Sequence, residues 1–185
     1  MSLNFTPEQQ QIRDSVMKLC QRFDDQYWLQ RDSDGIFPED FCQALVDDGW
    51  MGIAMPEEYG GSGLGITEAA IMAQAITESG AGNAGFAAIV IGIFGLNPVV
   101  VFGTEEQKRK WLPPIIKRQD IACFAVTEPN TGLDTTRLKT RAVDKGDHYL
   151  VNGEKIWTST AQVCNKMLII ARTKDESETK KPIDG

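Results

Sequence analysis

Up to about Asp120 the apolar residues of this chain fall at helical spacing; beyond it they come in short continuous runs bounded by turn residues. This change of period constrains the fold most, because a pattern that lines one face of a helix cannot line one face of a strand. A chain of 185 residues is long enough for one or two domains, each with its own core. The fold class expected is therefore α+β, with an N-terminal all-α helical bundle over residues 1–120. Residues 121–185 would then supply the opening strands of an antiparallel β-barrel or sandwich domain.

The helical part carries its own punctuation. Thr6-Pro7-Glu8-Gln9 predicts a helix start, with Thr as N-cap, Pro in the first turn and Gln three residues after the cap. Ile12, Val16, Leu19 and Phe23 then share one face and are expected in a core. A second start is expected at Phe37-Pro38-Glu39-Asp40, with Phe41, Ala44 and Leu45 inward and Gly49 as the stop. The glycine-dense Met55 to Gly65 reads as a loop; it has neither a P-loop ending nor dinucleotide-binding spacing. Thr67 is expected to cap a third helix ending near Gly80, and Asn83 to open a fourth. That fourth helix, Ala84 to Leu96, is apolar almost all round and so expected to be buried on most sides. Asn97-Pro98 and Thr104-Glu105-Glu106-Gln107 look like further starts, with Pro113-Pro114 breaking or kinking the last helix.

After Asp120, Ile121 to Val126 reads as a buried strand and Met167 to Ala171 as another. Tyr149-Leu150-Val151, the turn Asn152-Gly153 and Lys155-Ile156-Trp157 predict a hairpin. Lys174 to Lys181 reads as a charged loop, and a further strand is expected to begin in Pro182-Ile183-Asp184-Gly185. So few strands leave open edges, which stable sheets normally pair or cover.

Composition excludes several classes. Hydrophobic residues make up 42% and charged residues 24%, against disorder, and a net charge of −7 argues against a nucleic-acid or anionic-membrane footprint. Ala84 to Leu96 is too short to span a bilayer, and no longer apolar stretch is expected to do so. The N-terminus lacks a signal-peptide layout, so a cytoplasmic location, or the mitochondrial matrix in a eukaryote, is the default expectation. Cys20, Cys42, Cys123 and Cys164 lie far apart without metal-ligand spacing, and a single histidine, His148, cannot build a histidine-rich metal site. The cysteines are expected to be reduced and mostly buried, and no metal is expected.

The informative segment is Phe124-Ala125-Val126-Thr127-Glu128-Pro129-Asn130-Thr131-Gly132-Leu133-Asp134. A buried strand emerges at Thr127, turns at Pro129 and passes Gly132, where backbone can approach a ligand. Exposed amides and a hydroxyl at a strand end suit a heterocycle edge or a phosphate. The segment resembles the T-E-P-x-x-G-S-D flavin-binding motif of the acyl-CoA dehydrogenase family. Three further stretches resemble that family in order and spacing: Pro56-Glu57-Glu58-Tyr59-Gly60-Gly61; Gly103-Thr104-Glu105-Glu106-Gln107-Lys108 with Leu112-Pro113; and Asn152-Gly153-Glu154-Lys155-Ile156-Trp157-Thr158-Ser159.

The resemblance implies FAD as cofactor and oxidation of an acyl-CoA substrate to the 2,3-enoyl-CoA. It also implies electrons passed to an electron-transfer flavoprotein, and a homotetramer or homodimer when complete. It matches Phe124 to the aromatic residue beside the flavin, and Val126 and Thr127 to the residues bonding its pyrimidine edge. Gly132 and Leu133 fall on the motif's turn. Trp157, Thr158 and Ser159 match the stretch flanking the ring, with Ser159 as the hydroxyl near flavin N5 or O4. Such chemistry needs a carboxylate to remove the α-proton while a hydride leaves for the flavin. In the family that glutamate lies in a C-terminal helical domain, and the chain stops before it, so no catalytic residue is expected here. Leu133 stands where the family has serine, which puts a substrate contact there in doubt. Glu57, Glu58, Glu105 and Glu106 are expected to be solvated charges, and Glu128 to serve loop structure. The alternatives are a catalytically inactive binding or assembly fragment and a family cousin such as an acyl-CoA oxidase.

Overall fold

The computed structural model describes residues 5–174 and 178–181. The chain forms two compact units, Met1–Ala122 and Cys123–Gly185. Residues 182–185, where a further strand was expected, and residues 175–177 of the charged tail lie outside the described residues.

In the helical unit α1 spans Pro7–Cys20 behind Thr6, whose hydroxyl oxygen accepts from the Gln9 N–H at 3.2 Å while the Gln9 side chain accepts from the Thr6 N–H at 3.1 Å. Val16, Leu19 and Phe23 are buried, and Ile12 packs against the same core. The sequence pattern missed α2, Asp25–Asp34, because Trp28 is its only buried residue and no apolar stripe marks it. Its signature is a cap instead: Asp24 accepts from the Tyr27 N–H at 2.9 Å. Next, α3 (Glu39–Asp47) buries Phe41, Ala44 and Leu45 as expected. Phe23, Trp28 and Phe41 meet edge to face, with centroids 5.3 Å apart for Phe23–Phe41 and 5.0 Å for Trp28–Phe41.

The third apolar helix, α4, covers Ile66–Ile76 and is capped at Gly65, not at Thr67. The Gly65 N–H donates to Glu68 Oε2 at 3.0 Å, so Thr67 lies inside the first turn. The backbone leaves helical geometry at Gly80 (φ 104°) and resumes in α5, Gly82–Val90. A wide turn, Ile91–Gly95, leads into α6, Asn97–Phe102. By length and composition alone the run Ile66–Phe102 is long and apolar enough to cross a membrane, a property that a core helix shares, and its backbone departs from helical geometry at Gly80. Asn97-Pro98 opens α6, as expected, with the proline in the first turn where its missing N–H costs nothing. Within Ala84 to Leu96 only Ala84 and Phe94 are exposed, whereas Val101 and Phe102 beyond it are open to solvent. Ala88, Ile89 and Ile93 belong to the unit's own core.

The last helix, α7 (Glu105–Ile116), starts with a second capping box at Thr104 and continues through Pro113 and Pro114. The two prolines forfeit backbone bonds but do not break the helix, because Leu112, Ile115 and Ile116 are buried around them. The carbonyls of Pro113 and Pro114 accept from the N–H groups of Lys117 and Asp120, both at 3.1 Å, and close the end.

Among the described residues four strands form two pairs, the first of them opening at the boundary of the second unit: β1 (Ala122–Ala125) with β4 (Lys166–Ile169), and β2 (Arg141–Asp144) with β3 (Tyr149–Asn152). The β2–β3 pair is antiparallel, with Arg141 opposite Asn152 and Asp144 opposite Tyr149. This overturns the predicted hairpin. Tyr149-Leu150-Val151 is its second arm, not its first, and the turn runs through Gly146 at φ 94°. Asn152-Gly153 ends the hairpin, and Gly153 is there for close approach: a Cβ on it would lie 2.2 Å from the Thr140 hydroxyl oxygen.

Candidate functional site

The site lies wholly within the second unit. Where β1 ends, Val126 and Thr127 leave the sheet, and the chain folds back at once. The N–H of Glu128 donates to the Thr131 carbonyl and the N–H of Thr131 to the Glu128 carbonyl, both at 3.0 Å, closing a tight loop over Pro129-Asn130. The Thr131 hydroxyl donates to the Arg137 carbonyl at 3.2 Å and anchors the segment that follows.

The Glu128 carboxylate is the centre of the arrangement. It is buried, and it accepts from the Lys139 N–H at 2.7 Å, the Thr140 N–H at 2.8 Å and Lys155 Nζ at 3.0 Å. Lys155 Nζ also donates to the Val126 carbonyl at 2.9 Å. Burial alone would raise the Glu128 pKa. The bonds from Thr140, from the Lys139 and Thr140 backbone and from Lys155 outweigh it and hold the group down at about 2. Glu128 is therefore an anion with its lone pairs committed, which suits a brace and not a general base.

This brace draws two motifs together. Beside it the Ile156 N–H donates to the Thr127 carbonyl at 2.9 Å, so the Lys155-Ile156-Trp157 stretch runs against the exit of β1 and not back along β3. Trp157 has φ 57°, in the left-handed region that L-residues rarely occupy, and its side chain is 86% exposed. Sparsely populated backbone of this kind collects at ligand sites. Leu133 is fully exposed, and a Cβ added to Gly132 would meet nothing within 4 Å. Phe124, Val126, Thr127 and Thr158 are half-buried, while Ser159 is exposed just before a turn in which buried Thr160 adopts φ 63°. The backbone bond at Thr127 thus joins the two halves of the expected residue set.

What the sequence did not assign is the pairing of Glu128 with Lys155. Its only signal is one charge of each sign, each embedded in a motif. Two of the other motifs meet within the helical unit: Tyr59 of the glycine-rich loop donates from its hydroxyl to Glu105 Oε2 at 2.8 Å, so Glu105 is bound, not merely solvated.

Comparison with known proteins decides the kinship. The model of the acyl-CoA dehydrogenase N-terminal domain matches residues 6–119, and that of the acyl-CoA dehydrogenase middle domain matches residues 123–183. The chain belongs to the acyl-CoA dehydrogenase family. It is 33% identical over 185 residues to the probable acyl-CoA dehydrogenase YngJ of Bacillus subtilis, covering all of this chain and 48% of that protein. Among solved structures it is similar to the FAD complex of PigA (TM-score 0.86, 25% identity, 95% of this chain and 46% of that one). It is also similar to a glutaryl-coenzyme A dehydrogenase in complex with glutaryl-CoA (TM-score 0.83, 28% identity, 94% and 45%). The chain spans about half the length of the curated relatives it matches. These matches agree with the α+β class expected from the change of period.

Proposed function

We propose that this chain supplies the N-terminal helical domain, over residues 1–120, and the flavin-carrying part of the middle β-domain, over residues 121–185, of an FAD-dependent acyl-CoA dehydrogenase. The observation that carries the proposal is the Ile156–Thr127 backbone bond of 2.9 Å, which sets the Val126-Thr127 edge beside Trp157, Thr158 and Ser159. The residues fit a flat heterocycle: exposed main chain at a strand end, an uncluttered Gly132, and an exposed tryptophan held by its backbone in one place. Similarity to the FAD complex of PigA and to the glutaryl-CoA complex of a glutaryl-coenzyme A dehydrogenase supports the same class of ligand.

In this reading Val126 and Thr127 orient the pyrimidine edge of the cofactor, and Phe124 lies beside the ring. Trp157 covers one face and excludes water, and the Ser159 hydroxyl donates toward N5 or O4. FAD, when bound, supplies the acceptor for the hydride leaving the thioester's β-carbon. The Glu128–Lys155 brace holds the two binding segments in register without touching the reaction. Removal of the α-proton is assigned to no residue of this chain. The whole protein's substrate is an acyl-CoA, its electron acceptor an electron-transfer flavoprotein and its assembly a homotetramer or homodimer, in the cytoplasm or the mitochondrial matrix.

The test is an anaerobic visible spectrum of the purified protein supplied with FAD, before and after a panel of acyl-CoAs. Retained flavin bands that do not bleach are the expected result for these residues alone. Bleaching by one thioester would place a base among them, and a protein that retains no flavin would favour an assembly role without cofactor.

A further inference from the structure

All four cysteines are free, and two of them meet. Cys123 lies in β1 immediately before Phe124, and Cys164 ends the turn that follows Ser159. The Cys164 thiol donates to the Cys123 sulfur across 3.2 Å, and its second contact is the Ala161 carbonyl at 3.5 Å. Cys123 is fully buried, whereas Cys164 is half-buried and reachable from solvent. Two sulfurs at this separation need to close by only about 1.2 Å to reach covalent distance. Cys164 sits in a short irregular turn, whose N–H bonds run back to the Thr160 carbonyl, so the movement asks nothing of a strand.

We propose that Cys123 and Cys164 form a peroxide-oxidisable dithiol, which closes to a reversible disulfide linking β1 to the turn after Ser159. The accessible Cys164 attacks first, as thiolate, on one oxygen of a hydroperoxide. The O–O bond breaks, an S–O bond forms, and the departing alkoxide or hydroxide takes up the thiol's proton. Cys123 then attacks the sulfenic sulfur of Cys164; the S–O bond breaks, the S–S bond forms, and hydroxide leaves with the Cys123 proton as water. Two thiols lose two electrons and two protons, and the hydroperoxide is reduced to an alcohol and water, or to two waters if it is hydrogen peroxide. This division of roles agrees with the burial of Cys123, which together with the neighbouring Cys164 raises its thiol pKa and favours its protonated form. Cys20 and Cys42, also buried, serve as internal controls. The step uses no group of the flavin cradle, so its test does not depend on the cofactor reading.

The experiment treats the purified, pre-reduced protein with hydrogen peroxide, removes excess peroxide with catalase, blocks free thiols with N-ethylmaleimide and maps the peptides by mass spectrometry. The expected product is one cross-linked pair joining the Cys123 and Cys164 peptides, lighter by two hydrogens and released by dithiothreitol, with Cys20 and Cys42 unlinked. C164S, altered at a half-exposed position, should yield no cross-link. C123S should leave Cys164 as a sulfenic acid that dimedone traps. Irreversible oxidation of Cys164 to sulfinic acid, a disulfide between two protein molecules, or both thiols remaining free in the wild-type protein would each overturn the proposal.

Discussion

The two units of this chain are held together by different chemistry. In the helical unit Phe41, Leu45, Ile53, Met72 and Ile76 are all but inaccessible, and aromatic rings fill the junction between α1, α2 and α3. In the β unit the fully buried hydrophobics are small or few, chiefly Cys123, Ala125 and Leu138. The buried polar and charged residues Glu128, Thr131, Thr140 and Thr160 belong to this second unit, while in the helical unit the Arg118 side chain is also buried and pairs with Glu39 at the surface. Its strands are meanwhile open to solvent at Tyr149, Leu150, Val151, Met167 and Ile169. An apolar core tolerates any sequence of the right volume, whereas a polar knot fixes particular atoms at particular distances. The unit with the knot is the one whose loops are proposed to hold a ligand.

The largest effect that can separate the two units is a cavity. Phe41→Ala removes a wholly buried ring from the helical core and should cost about 4 kcal/mol. Hydrogen exchange followed by mass spectrometry should show protection lost from α1 to α4, with the segments from 124 to 172 unchanged. Equal loss in both units would mean that they share one cooperative core. The reciprocal change is Lys155→Met, which leaves the buried Glu128 charge without its cation and should cost about 3 kcal/mol, confined to the β unit. It should also release the Val126 carbonyl and lower FAD retention. The double variant Glu128→Gln with Lys155→Met should recover part of the stability, because no buried charge is then left alone.

Acid should distinguish the units without mutation. The folded pKa of Glu128, about 2, lies below the ordinary value of 4.5. The unfolded chain therefore binds this proton more readily, and the stabilisation it gives is complete above pH 4.5 and lost as pH falls toward 2. The β unit is expected to open across that window, followed by exchange or by the emission of Trp157. Glu128→Gln should flatten the step, and an unchanged acid transition in that variant would remove Glu128 from the account.

How much of this was legible depended on which unit is read. Helix starts at Thr6 and Thr104 were plain, because a capping box is a local contract between residues three apart. The polar α2 left no apolar stripe, and the helix through Pro113-Pro114 is decided by burial of Leu112, Ile115 and Ile116, which local propensity does not contain. In the β unit the Asn152-Gly153 dipeptide misled, because the pairing partner of Tyr149–Asn152 lies upstream and Gly153 answers a contact with Thr140. Every residue named for the flavin edge came from motif resemblance. Which backbone atoms join them, Ile156 to Thr127, and what braces them, Glu128 to Lys155, are long-range facts that a linear pattern does not carry.

The smallest change in stability should be the sharpest probe of function. Trp157 pays for its left-handed backbone and, being 86% exposed, gains little packing from its own chain in return. Trp157→Gly removes a conformational penalty of about 1–2 kcal/mol. It also adds unfolded-state freedom worth about 0.5–1 kcal/mol in the other direction. The net result should be a protein as stable as the parent or up to about 1.5 kcal/mol more so in urea unfolding. The same variant should bind FAD more weakly, because the ring that covers one face of the flavin is gone. A variant that gains stability while losing flavin would mark Trp157 as a residue held in strain for its ligand. If stability instead falls by more than about 1 kcal/mol, the indole is packing against this chain, and its place at the flavin must be given up.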